Sequence, residues 1–393
     1  MTDGAPRTST PTMPPEPPEH DKRATLRVDP DYLTAFAANI LVACGINAED
    51  APHAAETLLV ADLRGVASHG VARLPHYAQR LRRGLVAPGA ELTAVRETAA
   101  TLALDANNGF GLTQAPRAMA RTIAKAETAG LCLTTVRRSN HFGIAGHYAL
   151  MAARRGLGGI AMTNASPLVV PTFGAHAMLG TNPIAFAVPT GDGPPLVLDM
   201  STSAVAWGKI EIARRAGTAI PFGWALDEQG QPTTDPHAVR ALTPLGGEPA
   251  TSGHKGYGLA VMVDVLCGPL AGAAWSSHVS GATGPNREAT IGHTFMAWRI
   301  DAFRDPADFF ADLDAMLADL RATPPIPGHE ATGVLIPGDP EIAAERANRE
   351  RGVPVQPAVL DELRKLAAEL GVPFDFSSSS PSASADHVPQ RRV

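Results

Sequence analysis

The chain is poor in cysteine and aromatic residues, and it has no surplus of positive charge. Its 393 residues include three cysteines, 5% aromatic residues and 18% charged residues, and the formal net charge is −6. Cys44, Cys132 and Cys267 form no CxxC pair, which argues against a disulfide framework and against a zinc site. The negative charge gives no basic field for phosphate backbones, which excludes nucleic acid as an expected partner. We expect a cytoplasmic protein without a bound metal.

A long, unbroken apolar run and a signal peptide are also missing. The most apolar segment, residues 257–275, contains Asp264 and Pro269. It predicts a buried core helix that ends near Gly268-Pro269, and not a membrane span. The first 22 residues carry prolines and acidic residues where a signal peptide needs a basic start and an apolar run. The sequence therefore predicts no membrane association.

No glycine-rich dinucleotide fingerprint lies in the right context. The stretch GLGGIAM at 156–162 resembles one, but it follows a helical pattern and runs into a β-rich segment. The fingerprint needs its glycines between a strand and a following helix, so these residues predict a helix end that leads into a strand. The stretch SGHKGYG at 252–258 lacks the spacing of a phosphate-binding P-loop.

The residue pattern divides the chain into a central part, two flanking parts and two tails. Residues 27–95 show helical spacing, residues 96–301 alternate short β-rich runs with helices, and residues 302–375 return to amphipathic helices. This order predicts an α/β core flanked by a helical lobe from both chain ends, in which the helices of residues 302–375 pack on those of residues 27–95. The Pro-rich residues 1–26 and the Ser-rich residues 376–393 cannot bury enough apolar surface to order themselves, and we expect both tails to be disordered.

A serine and a histidine stand side by side in RGVASHGVARLPHYAQRLRRG, residues 64–84. Pro75 predicts that a helix begins near it, which leaves Ser68 and His69 in the preceding turn. A Ser-His-Asp hydrolase with Asp199 is one interpretation. Adjacent side chains rarely face each other, and the serine has no G-x-S-x-G frame, so we favour Ser68 as a cap or as a group that orients an imidazole.

A second histidine, His141, lies in the polar turn SNHFG after a β-rich run. In α/β proteins, ligands bind where strands end, so this turn is a candidate part of a binding site. A histidine in such a turn can donate or accept a proton near neutral pH.

Seven segments occur in an order that matches one known family: RGVASHGVARLPHYAQRLRRG, SNHFGIAGHYA, LGTNPIAFAVP, LVLDMSTSAVAWGKI, IPFGWALDEQGQPTTDP, KGYGLAVMVDVL and VLIPGDPE. From about residue 28 to 372, the chain resembles the malate/L-lactate dehydrogenase family that lacks a Rossmann fold. The resemblance implies a mixed-sheet core that binds NAD or NADP, flanked by a helical lobe from both chain ends. It also implies a homodimeric oxidoreductase with a site between lobes and near the partner subunit. The mixed-sheet core, which is not a Rossmann fold, explains the missing fingerprint.

The resemblance assigns catalytic roles to four residues and a substrate contact to a fifth. His69 becomes a proton donor or acceptor, and Arg73 faces the substrate. His141 matches a catalytic histidine that lies beside the nicotinamide, and it is also expected to contact the substrate. Ser68 and Asp199 match residues that relay charge to a histidine. The chemistry agrees, because a 2-oxo or 2-hydroxy acid needs a guanidinium for its carboxylate and an acid or base for its oxygen. Which histidine transfers the proton stays open.

Cofactor contacts are carried over from the same family. They fall on Ala165, Asn182, Asp199, Met200, Ser201, Lys255, Pro337, Gly338 and Asp339. Lys255 could hold the pyrophosphate as a point charge. An acidic group such as Asp339 suits ribose hydroxyls better than a 2′-phosphate, which gives a slight preference for NAD.

The substrate stays open among malate, lactate and ureidoglycolate-like acids. AVAWGKIEIARR resembles the ureidoglycolate branch of the family, whereas SNHFG resembles the malate and lactate branch. A cyclic imine such as piperideine- or pyrroline-2-carboxylate is the alternative within the family. Outside it, the alternatives are the hydrolase and a nucleotide-binding protein without catalytic activity.

Overall fold

Helices and strands alternate through most of the chain in the computed structural model, which describes residues 25–280 and 288–376. The α-helices are α1 (Pro30–Ala43), α2 (Asp50–Leu63), α3 (Leu74–Arg82), α4 (Gly111–Ala129), α5 (Ala145–Ala153), α6 (Trp207–Ala216), α7 (Gly253–Cys267), α8 (Pro306–Ala322), α9 (Asp339–Arg351) and α10 (Pro357–Leu370). The strands are β1 (Leu26–Val28), β2 (Thr93–Glu97), β3 (Thr101–Asp105), β4 (Leu131–Ser139), β5 (Leu157–Thr163), β6 (Ile184–Val188), β7 (Leu196–Met200), β8 (Ala225–Leu226), β9 (Ala241–Leu242), β10 (Ile291–Arg299) and β11 (Val353–Val355).

A seven-stranded mixed sheet forms the centre of the fold, in the order β2-β3-β4-β10-β5-β6-β7. Its strands pair antiparallel except for β3 and β4, which run parallel. Successive side chains of a strand point to opposite faces. On β5, Ala161 joins the buried cluster under α4 and α5, whereas Met162 packs with Val263 of α7. The sheet is therefore covered on both faces, and the predicted mixed-sheet α/β fold is confirmed.

The two chain ends build a second core together. Leu33 and Phe36 of α1 pack in one buried cluster with Leu363 of α10, and β1 pairs antiparallel with β11. Helix α8 behaves differently, because its Leu313 packs against Val188 of the central sheet. The predicted unit 302–375 is thus shared between the sheet and the N-terminal helices.

Both predicted tails are shorter than the sequence pattern indicates. Leu26 pairs with Val355 in the two-stranded sheet, and the ring of Phe376 contacts that of Phe36 at a centroid distance of 5.2 Å. Residues 1–24 and 377–393 of the two predicted tails lie outside the described ranges.

Helix α7 ends directly before Gly268-Pro269, as predicted. The predicted buried core helix is buried on one face, with Val263 and Cys267, whereas Met262 and Val265 on its outer face are exposed. Within residues 25–280 and 288–376, no helix is both long enough and apolar enough to cross a membrane.

The glycine-rich stretch at 156–162 also folds as predicted, since α5 is followed by Gly156 at φ +77° and then by β5. Helix α9 was not predicted from the sequence. Its residues, DPEIAAERANRER, have only one buried member, Asn348, so the apolar periodicity that marks other helices is absent.

Candidate active site

A cleft of about 650 Å³ opens between the N-terminal helices, one end of the central sheet and the segment that leads into α9. This volume lies in the range typical of pockets for small molecules and cofactors. The lining segments include residues 68–69 before α3, residues 141–145 after β4, residues 163–166 at the end of β5, residues 197–201 in and directly after β7, and residues 335–338 before α9. The cleft therefore gathers chain segments that lie far apart in the sequence.

The turn that carries Ser68 and His69 is held by a buried carboxylate. Asp62, near the end of α2, accepts the backbone N–H of Val71 at 2.8 Å. A Cβ atom on Gly70 would lie 2.0 Å from a carboxylate oxygen of Asp62, so this close approach requires glycine. Helix α3 then begins at Leu74 with proline in its first turn, as predicted.

Ser68 and His69 form a hydrogen bond with each other, 2.9 Å between Oγ and Nδ1. The expectation that adjacent side chains would not meet is wrong here, because residues Ala67–His69 form a tight 3₁₀ turn. Arg73 donates from Nε to the Ser68 carbonyl at 2.7 Å and lies in the same cleft. Desolvation, with a contribution from the Arg73 charge, lowers the pKa of His69 to about 4. The imidazole is therefore neutral at neutral pH.

His141 follows β4, and its Nδ1 atom faces two donors. The hydroxyl of Tyr77 lies 2.6 Å from Nδ1, and the backbone N–H of Gly143 donates to the same atom at 3.3 Å. Burial, with smaller contributions from the neighbouring histidines and the Arg73 charge, lowers the pKa of His141 well below its ordinary value, and burial raises the pKa of Tyr77. A neutral His141 therefore accepts at Nδ1 and carries its proton on Nε2.

Tyr77 was missed in the sequence. A usable signal was present, because Tyr77 lies four residues after Arg73, and residues at this spacing share one face of a helix. With His69 and Arg73 in the preceding turn, that face is directed toward the cleft.

The two histidine rings lie against each other, with centroids 5.5 Å apart and planes inclined by 25°. Each ring is held at Nδ1 by a hydroxyl group, Ser68 in one case and Tyr77 in the other. Within the described residues, neither Nε2 atom makes a hydrogen bond to the protein. The structure thus brings together the two predicted proton-transfer residues and the predicted carboxylate anchor, Arg73.

Six of the nine residues predicted to bind the cofactor line the cleft: Ala165, Asp199, Met200, Ser201, Pro337 and Gly338. The other three do not. Asn182 is fully buried behind the wall, where its Oδ1 accepts the backbone N–H of Ala165 at 3.2 Å. Asp339 is paired with Arg321 at 2.9 Å, and Lys255 lies exposed in the first turn of α7.

Asp199 does not reach either histidine. Its Oδ2 accepts the backbone N–H of Gly146 at 2.8 Å, and this is the one hydrogen bond of its carboxylate among the described residues. Desolvation within the cleft raises the pKa of Asp199 to about 6. The predicted charge relay through Asp199 therefore has no direct contact to support it.

The cleft wall around Asp199 fits a dinucleotide. Gly338 has φ +97° at the start of α9, and a Cβ there would lie 3.0 Å from the Val197 carbonyl oxygen. Glycine at this position therefore lets α9 start close to β7, and the backbone N–H groups in the first turn of a helix, which have no intrahelical partner, can hold a phosphate group. Glu341 and Asp199 line the same cleft, and acidic groups at these positions could hold ribose hydroxyls. Among the described residues, no group of three or more potential metal ligands is present.

Comparison with known proteins agrees with this geometry. The family profile of malate/L-lactate dehydrogenase matches residues 28–364. Malate dehydrogenase from Pyrococcus abyssi is 40% identical over 351 residues, which are 88% of this chain and 96% of that protein. Ureidoglycolate dehydrogenase (NAD(+)) from Escherichia coli K12 is 33% identical over 355 residues, 89% and 99% of the two chains.

Solved structures give the same result. Malate dehydrogenase from Pyrococcus horikoshii OT3 superposes with a TM-score of 0.82 at 38% identity, over 89% of this chain and 97% of that one. The predicted family and the predicted NAD(P)-dependent oxidoreductase of 2-hydroxy acids are confirmed, since related dehydrogenases are named for NAD(+) and for NADP(+). The chain belongs to the malate/L-lactate dehydrogenase family.

Proposed function

We propose that the protein transfers hydride reversibly between nicotinamide C4 and C2 of a small 2-hydroxy or 2-oxo acid, with His69 as the proton-transfer group. The observation that carries this proposal is the stacked pair of His69 and His141 beside Arg73 in one cleft. A bound nicotinamide supplies or takes the hydride, and the residues of this chain handle the carboxylate and the proton.

Arg73 is proposed to bind the substrate carboxylate. Its Nε atom is fixed on the Ser68 carbonyl, which leaves the two Nη groups for a second partner. A guanidinium edge matches the two oxygens of a carboxylate. The contact with Ser68 also ties the anchor to the residue that holds His69, so one turn sets both groups.

The two histidines are proposed to have different tasks. In His141, two donors occupy Nδ1, so the ring presents Nε2–H and acts as a neutral hydrogen-bond donor to the substrate oxygen. In His69, Nδ1 meets a serine hydroxyl that can either donate or accept, so this ring can gain and lose a proton at Nε2. During oxidation, neutral His69 takes the hydroxyl proton as the hydride leaves C2.

NAD is proposed as the preferred cofactor. Asp339 does not support the preference for NAD, because its carboxylate accepts hydrogen bonds from Arg321 and from the backbone N–H of Ile336. It rests on Asp199 and Glu341, which face the cleft and suit ribose hydroxyls better than a 2′-phosphate.

A substrate panel tests the proposal. The purified protein is assayed by absorbance at 340 nm with NADH and NADPH against oxaloacetate, pyruvate, other 2-oxo acids and piperideine-2-carboxylate, and with NAD and NADP against ureidoglycolate. We expect turnover of at least one 2-oxo or 2-hydroxy acid and a higher kcat/KM with the NAD pair. Turnover of the cyclic imine alone would contradict the proposed substrate class, and a preference for the NADP pair would contradict the cofactor assignment.

A homodimer in the cytoplasm is proposed as the working form. Helix α7 exposes Met262 and Val265, and the segment after it exposes Leu270 and Trp275, an apolar surface that a second copy of the chain would cover. The three cysteines are free and buried, which fits a reducing compartment.

Light scattering coupled to gel filtration tests the dimer. We expect twice the chain mass for the native protein and a monomer for Val265→Glu. Val42→Glu is the matched control, because Val42 is exposed to a similar degree but lies on α1 among the N-terminal helices. A monomeric native protein, or an unchanged dimer in Val265→Glu, would contradict the proposed interface.

A further inference from the structure

A third histidine, His293, is buried in the central sheet behind the cleft. It lies on β10, between β4 and β5, and its side chain has no exposed surface. Its Nδ1 atom lies 2.8 Å from the Thr163 hydroxyl at the end of β5, and its Nε2 atom lies 2.8 Å from the Ser139 hydroxyl at the end of β4. One imidazole thus joins the ends of two strands across the strand that separates them.

The direction of both hydrogen bonds follows from the neighbours of Thr163. Its Oγ1 lies 2.9 Å from the Asn164 carbonyl oxygen and 3.1 Å from the Gly292 carbonyl oxygen, which can only accept. The Thr163 hydroxyl has one proton, and it donates that proton to these carbonyl oxygens. Toward His293 the Thr163 oxygen can therefore only accept, so His293 carries its proton on Nδ1. The Ser139 hydroxyl then donates to Nε2. Burial lowers the pKa of His293 to about 3, which keeps the ring neutral.

The two strand ends joined by His293 lead directly into the cleft. β4 continues into His141 and Phe142, and β5 continues into Asn164 and Ala165, which all line the cleft. The His293 ring also lies face to face with Phe142, at a centroid distance of 4.5 Å and an interplanar angle of 6°. His293 therefore touches both segments, although it does not itself line the cleft.

A bulge in β10 reinforces this connection. The pairing with β4 is interrupted between Ile291 and His293, and the Gly292 backbone N–H donates to the Asn164 side chain at 3.0 Å. A Cβ on Gly292 would lie 1.8 Å from the Cys267 carbonyl oxygen, so this position requires glycine. The bulge thus ties the same strand to the second cleft segment.

We propose that His293 is a positioning residue for hydride transfer: as a neutral imidazole protonated on Nδ1, it fixes the spacing between the segment that carries His141 and the segment that carries Ala165. This inference rests on the proposed function, since it assigns a task to a residue behind the same site. A misplacement of about 1 Å can slow a reaction about a hundredfold, so a spacer of this kind affects the rate directly.

Kinetics of three variants test the proposal. His293→Phe keeps a ring against Phe142 and removes both hydrogen bonds, Thr163→Val removes the acceptor of Nδ1–H, and Thr163→Ser retains it. We expect the single-turnover rate of hydride transfer to fall about tenfold or more in the first two and to stay within about twofold in Thr163→Ser. The KM for the 2-oxo acid should change little, because the proposed carboxylate anchor, Arg73, lies in the turn before α3 and has no contact with His293 or Thr163.

Thr122→Val is the matched control. It removes a buried hydroxyl whose hydrogen bond joins α4 to Thr134 of β4 at 2.7 Å, away from the cleft. We expect a lower melting temperature and an unchanged hydride-transfer rate. Equal loss of rate in Thr122→Val and Thr163→Val, or a native rate in folded His293→Phe, would overturn the proposal. If His293→Phe does not fold, the hydride-transfer rates of Thr163→Val and Thr163→Ser test the proposal.

A measurement without substrate separates this inference from the proposed function. In protein labelled with ¹⁵N-histidine, the His293 imidazole should keep the neutral Nδ1–H form from about pH 5 to 9, and the His141 signals should shift in Thr163→Val but not in Thr163→Ser. An Nε2–H form of His293, or titration in that range, would overturn the inference. Absence of turnover with every acid and imine would instead contradict the proposed function.

Discussion

The two histidines of the cleft are held alike at Nδ1 but belong to different parts of the fold. His69 lies in a turn of the N-terminal helices and is held by its own neighbour, Ser68. His141 lies at a strand end of the central sheet and is held by Tyr77, 64 residues away in the chain. His141 also receives the Gly143 backbone N–H, whereas His69 has no second donor among the described residues. A local contact leaves the ring free to change its protonation, and a tertiary contact fixes it.

The largest expected effect comes from removing each ring. His69→Asn should lower the single-turnover rate of hydride transfer by about 10²- to 10⁴-fold, because a positioned acid or base contributes about this much. His141→Asn should cost less, since an amide can still donate a hydrogen bond. Near-native rates in both variants would contradict a role for either histidine in hydride transfer. A slower reaction in His141→Asn than in His69→Asn would contradict the assignment of proton transfer to His69.

The next largest effect concerns the anchor that shares the turn with His69. Arg73→Lys should lower kcat/KM for the 2-oxo acid by about 10- to 100-fold, since a charged hydrogen bond contributes about 1.5–3 kcal/mol and lysine cannot bind both carboxylate oxygens. Arg82→Lys is the control, because Arg82 forms an exposed ion pair with Glu369 at the end of α3. Equal kinetics for the two variants would remove Arg73 from the substrate site.

The two hydroxyl groups at Nδ1 give a smaller and more direct comparison. Tyr77→Phe should slow hydride transfer about tenfold, because one hydrogen bond of about 1 kcal/mol is lost and the Nδ1–H form of His141 becomes available. Ser68→Ala should slow it only about two- to threefold. Tyr32→Phe, whose hydroxyl bonds the Asp375 backbone far from the cleft, is the control. A larger loss in Ser68→Ala than in Tyr77→Phe would reverse the comparison.

The smallest effect is expected in the pH profile of oxidation. His69 has a pKa of about 4, so the base is already neutral at higher pH. At saturating NAD, where protonation of Asp199 does not limit cofactor binding, we expect kcat/KM for the hydroxy acid to vary less than about twofold between about pH 6 and 9, and to fall below about pH 5 as His69 becomes protonated. The acid limb should vanish in His69→Asn and persist in His141→Asn. A limb near pH 7 that depends on His69 would contradict this assignment.

The sequence was most informative where a local pattern decides the structure. The turn before Pro75, the strand that precedes SNHFG and the end of α7 at Gly268-Pro269 follow from rules that act over a few residues. The motif resemblance placed His69, His141 and Arg73 in one site, and the structure brings these three together. It was less informative for Lys255 and Asp339, because the direction of an exposed side chain depends on neighbours that no motif contains.

What the sequence alone determined is therefore the family and the mixed-sheet fold, and it supplied the candidate reactive side chains, whose roles stay predictions. Only the tertiary structure decided how those side chains are held: Tyr77 on His141, Asp199 on the backbone of Gly146, and His293 between two strand ends. The physical reason is that each of these contacts joins residues far apart in the chain, and a hydrogen bond of known length and direction exists only after the sheet and the helices have packed together.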